Sequence, residues 1–438
     1  LNSDMPAAAC EAGGMCESSP TISIPTAAAL LAQTCLGAGA LAIPYAFMTT
    51  GLGLGMALIV FVGMLSVFSF HILGESRDAS GEHSYPDIAY YFYGTRALVA
   101  VQASLLCVLL GGIIAYAILI GDSLHPVVVH YTDYNGAAVS EHALLAYIMV
   151  LIFPLTLATS LRPLRHTTYL ALVCLVYLLF VIALRFGQQA MSRELSVKVI
   201  QHSNHPSAAA VAAAVPKELV MVSVINGSVR VLLGVPIFMA AFLAQFNVVA
   251  VRDSLERPTP ARFAAVSISA IAGAGIFYCG FGLLGYLSYG TEVRGDLLNN
   301  YSASDIYVNL GRVALTVVLA CTYPLVFLPL RETTLGLIVT HVWASAPVTR
   351  LWFRIIVVLL LNGITYGVAY LAPNLSAVLA LVGATCGNLL AFILPGMFGL
   401  KAFATGSAKR KASLALVVFG VVIGIAATAV IAVYWNEM

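Results

Sequence analysis

What this sequence lacks is charge. Only 9% of its 438 residues are Asp, Glu, Lys or Arg, where a soluble globular chain carries about 25%. So few charges cannot dress a water-facing surface. That excludes a cytosolic enzyme, a secreted domain, a nucleic-acid binder and a disordered protein together. No G-x-x-x-x-G-K-[ST] segment occurs, which argues against an ATP-driven pump. The apolar runs lack the His/Asp/Glu clusters of a membrane enzyme, and rings of charge or a filter loop, as in a channel, are missing too. Of the eight Cys, Cys35, Cys107, Cys174, Cys279, Cys321 and Cys386 lie in apolar runs and Cys10 and Cys16 near the start. No structural disulfide, metal or cofactor is expected.

What the sequence has is apolar length, 61% of its residues. A membrane-crossing helix needs roughly 20 consecutive apolar residues. Eleven such runs fall at 22–49, 52–73, 97–121, 143–160, 167–184, 229–251, 262–289, 304–330, 354–371, 374–400 and 412–434. None alternates like a barrel strand. The expectation is an all-α integral membrane protein with eleven transmembrane helices. With the N-terminus inside, fourteen of the 21 Lys and Arg fall on the cytoplasmic side, from Arg77 and Arg96 to Lys409, Arg410 and Lys411. The positive-inside rule therefore predicts a cytoplasmic N-terminus and an external C-terminus. On that topology the sequons at Asn226 and Asn300 fall in external loops, and the aromatic segment 83–94 reads as an interfacial helix on the cytoplasmic face.

Two spans carry break signals in matching places. Span one contains Gly37-Ala38-Gly39-Ala40-Leu41, followed by Pro44; span six contains Gly234-Val235-Pro236, followed by Ala240-Ala241-Phe242. Glycine relaxes φ and proline removes a donor, so both stretches would free backbone groups at mid-membrane. They open two five-span halves of opposite topology. That gives a tail at 1–21, a first repeat at 22–184, an external loop at 185–228, a second repeat at 229–400, and a basic loop with span eleven at 401–438. Broken helices in matching positions of inverted repeats point to a transporter's central site. Freed N–H groups suit a carboxylate and freed carbonyls an ammonium, and an α-amino acid carries both. Small residues also serve close helix packing, the favoured reading for Gly273, Gly275, Gly280, Gly282 and Gly285 in span seven.

These stretches resemble the amino acid/auxin permease family. Gly37 to Phe47 looks like its G-x-G-x-L-x-[LI]-P-Y-A-F signature, and Tyr323 to Arg331 like its Y-P-x-x-x-x-P-x-R. Pro373-Asn-Leu-Ser376 with Val382-Gly-Ala-Thr385, and Tyr85-Pro-Asp87 with Gly94, match in the same order. The small-residue composition and the Cys/His-containing loops look most like the trypanosomatid permeases of that family. The resemblance implies a five-plus-five inverted-repeat fold, eleven helices and an amino-acid site on spans 1, 3, 6 and 8. Here that site takes in Thr34, Gly37, Ala38, Gly39, Ala40, Leu41, Cys107, Ala240, Ala241, Phe242 and Gln245. Where relatives often read F-A-F-x-C-H-x-N, this chain has Ala240 for the first Phe and Gln245 for the His. Sodium-coupled relatives place an Asn and a Thr where Gln33 and Thr322 stand, so a sodium site of that kind is in question.

One ionisable group lies inside a span. Arg312 either closes the outer vestibule, opposite Asp122, or snorkels to the headgroups. The room left by Ala240 and the acidic outer loop (Asp122, Asp133, Glu141) favour a cationic amino acid, arginine or lysine. The alternative is a small neutral amino acid carried with proton coupling. His202 with His205, or His125 with His130, lack the fixed partners of a metal site. The expected partners are an amino acid, co-transported H+ or Na+, and the lipid bilayer. No nucleic acid is expected, and the carrier is read as a monomer in the plasma membrane, with an organellar membrane as the alternative.

Overall fold

The computed structural model of the protein describes residues 22–37, 39–132, 136, 139–157, 167–202, 228–343, 345–372 and 374–435. The tail 1–21, Ala38, Asp133, Arg162, Arg165, His205, Asn226, Pro373 and most of the loop 185–228 lie outside the described residues. Within them the regular elements are helices. In chain order these are α1 (Ile24–Cys35), α2 (Gly39–Thr50), α3 (Leu52–Ser80), α4 (Tyr85–Tyr93), α5 (Thr95–Thr132), α6 (Glu141–Thr156) and α7 (Thr167–His202). There follow α8 (Val231–Ala241), α9 (Gln245–Ser254), α10 (Pro260–Tyr289), α11 (Ile306–Leu337), α12 (Leu351–Leu371), α13 (Leu375–Ala384), α14 (Cys386–Ala402) and α15 (Ala408–Tyr434). Among the described residues, eight spans are long and apolar enough to cross a bilayer, α8 and α9 together forming one of them. The bent pairs α1–α2 and α13–α14 raise the number to ten. α6 is apolar too, but its 16 residues reach only about 24 Å at 1.5 Å per residue.

The breaks fall beside the prolines, not on them. α1 and α2 meet at 60° across residues 36–38, and α8 gives way to α9 across residues 242–244. Pro44 lies inside α2 and Pro236 inside α8, correcting the expectation that they mark the unwound points. A proline in a transmembrane helix is tolerated where neighbours enclose it, and both are buried.

Gly234 is a packing residue as well. A Cβ there would stand 2.4 Å from the Thr49 hydroxyl oxygen of α2. Gly282 and Gly285 of α10 admit Phe47 and Pro44 in the same way, at 2.4 and 2.6 Å. Of span seven's glycines Gly280, Gly282 and Gly285 serve close approach as expected, whereas a Cβ on Gly275 would make only ordinary contact at 3.7 Å and one on Gly273 would meet nothing within 4 Å.

A third break was not expected. α13 and α14 meet at 44°, where Thr385 adopts φ −106°, ψ −104°. α14 then passes through a π-helical turn at Leu389–Ile393. Two carbonyls of this turn accept from outside it: Leu390 from the Tyr85 hydroxyl at 2.7 Å and Ala391 from Ser69 at 2.5 Å. α4, capped by Ser84 and ended at Gly94 (φ +71°), is the short aromatic helix that the sequence indicates. It buries Tyr85, Ile88 and Ala89 and leaves Tyr90 and Tyr91 exposed.

At one end of the bundle α1 and α9 are joined by backbone. Ile22 N–H donates to Ser254 O at 2.8 Å and Glu256 N–H to Ile22 O at 3.0 Å. Asp253 pairs with Arg77 and with His83, each at 2.7 Å, and Arg252 pairs with Asp78. These contacts fasten α9 to α3 and to the turn before α4.

Candidate functional site

The two breaks face each other. A Cβ on Gly39 would lie 3.4 Å from Ala241 Cα, so α2 starts against the end of α8. Between these broken spans and α5, α11 and α13 lies a cavity of about 580 Å³. Its wall takes Gln33, Thr34, Cys35, Gly37 and Gly39 from span one, and Ala240, Leu243, Phe246, Asn247, Ala250, Val251 and Ser254 from span six. α5 adds Val108, Leu109, Gly111, Gly112, Ala115 and Tyr116, and α11 adds Thr322, Leu325, Val326 and Pro329. The wall continues to Ile22 and Ser254, at the end of the bundle where Asp253 and Arg77 pair. Among the described residues it includes no Asp, Glu, Lys, Arg or His.

Backbone and hydroxyl groups shape this wall. Thr34 accepts from Asn247 Nδ2 at 3.0 Å and donates to Leu30 O, tying α1 to α9 inside the cavity. Thr322 donates back to Val318 O at 2.7 Å. Behind the wall, Tyr278 of α10 is fully buried, and its one hydroxyl proton is shared between Cys35 O and Ala241 O, the latter 2.8 Å from the hydroxyl oxygen. One side chain thus holds the last carbonyls of α1 and α8 together, and Phe242 packs edge-on against its ring at 5.3 Å.

Several expected site residues lie elsewhere. Ala40, Leu41, Ala241 and Phe242 are buried behind the wall. Gln245 is buried too; its Oε1 accepts from Ala244 N–H at 3.0 Å, while Nε2 has no partner. It supports the unwound turn instead of lining the cavity. Cys107 is exposed, lies beside Cys386, and misses the wall by one residue of helical rotation, since Val108 takes the place. Ala38 lies outside the described residues. Asn247, Tyr116 and Tyr278 were not singled out from the sequence. Asn247 had a signal, as the polar end of the run that begins at Ala240. Tyr278 had none, because a tyrosine in an apolar span reads as packing.

Arg312 and Asp122 sit at the opposite end of the bundle, away from the cavity. The loop from Gly290 to Asp305 folds over that end as a lid. Arg312 neither snorkels nor pairs with Asp122: it is 1% exposed. Its guanidinium donates to Asn309 Oδ1 at 2.8 Å, Leu298 O at 2.7 Å and Tyr301 O at 2.9 Å. Asp122 accepts from Asn299 Nδ2 at 3.0 Å, and Ser376 of α13 donates to Gly295 O at 2.6 Å. Three helices thus hold one lid.

Hydrogen bonds from a charged group contribute about 1.5–3 kcal/mol each, so Arg312→Gln is expected to release the lid. Tryptic cleavage at the exposed Arg294 should then become at least tenfold faster in the purified protein. An unchanged cleavage rate would deny Arg312 that role.

The family described as "Transmembrane amino acid transporter protein" matches residues 20–434. Vacuolar amino acid transporter 5 of Schizosaccharomyces pombe is 25% identical over 369 residues, 84% of this chain and 81% of that protein. Sodium-coupled neutral amino acid symporter 2 of Danio rerio is 24% identical over 402 residues, 89% and 77% of the two chains. The crystal structure of MhsT in complex with L-phenylalanine superposes with a TM-score of 0.54 at 13% identity, covering 92% of this chain and 97% of that one. The likeness to MhsT establishes a shared fold.

Proposed function

The chain belongs to the family of transmembrane amino acid transporters, and on that premise we propose that it is a secondary carrier moving a neutral amino acid by alternating access. The observation that supports this is the uncharged cavity at the meeting of two helix breaks. The first turn of α2 offers N–H groups and the positive end of a helix dipole to a carboxylate. The end of α1, beside it, offers carbonyls to an ammonium. A substrate side chain meets Val108, Gly111, Gly112, Ala115 and Ala240, which are apolar and mostly small.

Among the described residues of this wall, a guanidinium or side-chain ammonium has no carboxylate to pair with. The neutral alternative is therefore favoured over arginine or lysine. The name of the Danio rerio relative, a neutral amino acid symporter, agrees.

The cavity runs to one end of the bundle while the lid covers the other, as alternating access requires of a state open to one side. With the N-terminus cytoplasmic, that opening faces the cytoplasm and the lid faces outward. In this reading 22–184 and 229–400 are the two inverted repeats, α6 is the eleventh span, and Gln33 and Thr322 are the residues nearest a sodium ion, if one is carried. The chain is read as a monomer of the plasma membrane.

Uptake into liposomes tests the proposal, with neutral and cationic amino acids each offered with and without sodium. Neutral substrates are expected to accumulate at least tenfold above arginine and lysine. Preferential uptake of arginine or lysine would overturn the neutral assignment.

A further inference from the structure

Among the described residues Gly37, Gly39, Gly111 and Gly112 line the cavity, and they are not equivalent. We propose that Gly112 is the residue that sets substrate size, and that the substrate is a neutral amino acid with a bulky apolar side chain, branched or aromatic. Glycine, alanine and serine are then poor substrates. This size class rests on the reading of the chain as a carrier of neutral amino acids, to which it adds.

The other three glycines have neighbours. A Cβ on Gly39 would lie 3.4 Å from Ala241 Cα, and one on Gly111 would lie 2.4 Å from Val382 Cγ2. These two let helices approach closely. A Cβ on Gly37 would reach the Tyr116 hydroxyl oxygen at 3.9 Å, an ordinary contact. A Cβ on Gly112 would meet nothing within 4 Å. Gly112 lies inside α5, where no positive φ calls for glycine, and glycine is less favourable than alanine in a helix interior. Neither close packing nor backbone conformation accounts for it. What its missing side chain leaves is open space in the cavity wall.

Helical periodicity fixes where that space is. Val108, Gly112, Ala115 and Tyr116 all line the cavity and share one face of α5. Gly112 is at the centre of this face, with Val108 a turn before it and Tyr116 a turn after. The facing sides come from α13 and α8. Gly111 seats Val382 of α13, and a Cβ on the next residue, Gly383, would stand 3.1 Å from Ala240 Cβ of α8. Leu379, a turn before Val382, lines the cavity as well. Val108, Gly112, Leu379, Val382 and Ala240 thus border one recess, and their side chains carry no polar atom. Tyr116 reaches the α1–α2 break at Gly37, and one helical turn along α5 is about 6 Å. The recess is therefore about that far from the unwound backbone that would hold the charged end of an amino acid. A methyl side chain stops short of it, while a leucine or phenylalanine side chain enters it.

The preference has a physical cause. The side chains around the recess give water no hydrogen-bonding partner, so an apolar group that displaces water from it gains affinity. Each buried methylene is worth about fourfold. The isopropyl group that leucine has and alanine lacks therefore amounts to more than about tenfold. A side chain added at position 112 fills the same space from the protein side and withdraws it from the substrate.

Uptake of radiolabelled leucine, phenylalanine and alanine by the full chain in liposomes tests this. Wild-type kcat/KM for leucine and phenylalanine is expected to exceed that for alanine by about tenfold or more. Gly112→Leu should lower the leucine-to-alanine and phenylalanine-to-alanine ratios by about tenfold or more, and Gly112→Ala by about fourfold. Gly112→Ala has room for its Cβ, so it decides the matter if the larger residue prevents folding. A wild-type size-exclusion profile for the variant shows that the change is one of selection. A wild type that takes up alanine as well as leucine overturns the size class, and ratios unchanged in a folded variant overturn the role of Gly112. Either result leaves the neutral carrier standing. Uptake of no neutral amino acid at all would instead overturn the carrier assignment, and the size class with it.

Discussion

Tyr278→Phe is expected to lower amino-acid uptake by about ten- to a hundredfold while the protein still reaches the membrane in normal amount. The substitution removes one oxygen and leaves the ring packed against Phe242. What it takes away is the one hydroxyl proton shared between Cys35 O and Ala241 O. Those carbonyls end α1 and α8, where the helical ladder stops, and a buried carbonyl left without a donor costs about 1–3 kcal/mol. Each 1.4 kcal/mol is tenfold in a rate, which sets the expected range. The loss should fall on transport, because the two carbonyls position the breaks on which the cavity depends. Radiolabelled uptake normalised to surface protein measures it. Wild-type uptake in Tyr278→Phe would show that the breaks hold their geometry without this hydroxyl.

Gly383→Ala is expected to prevent stable folding. A Cβ at that position would sit 1.9 Å from Pro236 O and 2.8 Å from Pro236 C. The obstacle is backbone, so no side-chain rotation relieves it, and α13 must move away from α8. Overpacking of ordinary cores costs about 1–3 kcal/mol, occasionally more, and a clash with main chain belongs at the upper end. Gly363→Ala is the control, since a Cβ at Gly363 of α12 meets nothing within 4 Å. Size-exclusion profiles of the detergent-purified variants should show aggregation or loss for Gly383→Ala and a wild-type peak for Gly363→Ala. Equal profiles would mean that the α8–α13 contact yields more easily than its geometry indicates.

Much of the architecture was legible because the bilayer simplifies the problem. Apolar length located the spans, and glycine clusters located the region of the first break, since few other residues tolerate unwound backbone there. The prolines misled: Pro44 and Pro236 remain inside helices because surrounding side chains enclose them. The break at Thr385 escaped notice because no proline stands beside Gly383 and Gly387, and Gly383 itself serves the close approach of α13 to α8.

The site was legible only to the resolution of a helix turn. α5 was identified, but Cys107 and Val108 differ by about 100° of rotation, and a run apolar all round does not say which residue faces inward. Arg312 stood out as an ion inside a span. Its carbonyl partners could not be named in advance, because they come from a loop whose path only the folded lid defines. The acidic outer loop does not bear on the cavity for a related reason: Asp122 bonds to the lid and is not among the described residues of the cavity wall.

The strand-like pairing of Ile22 with residues 254–256, together with the Thr34–Asn247 hydrogen bond, bears on how many parts move. α1 and α9 are fastened at both ends of their shared length, and Asp253 and Arg252 extend the attachment to α3. Neither half-helix can swing out alone without breaking main-chain bonds. They form a single door leaf on one hinge, and its opening is expected as one kinetic step and not two.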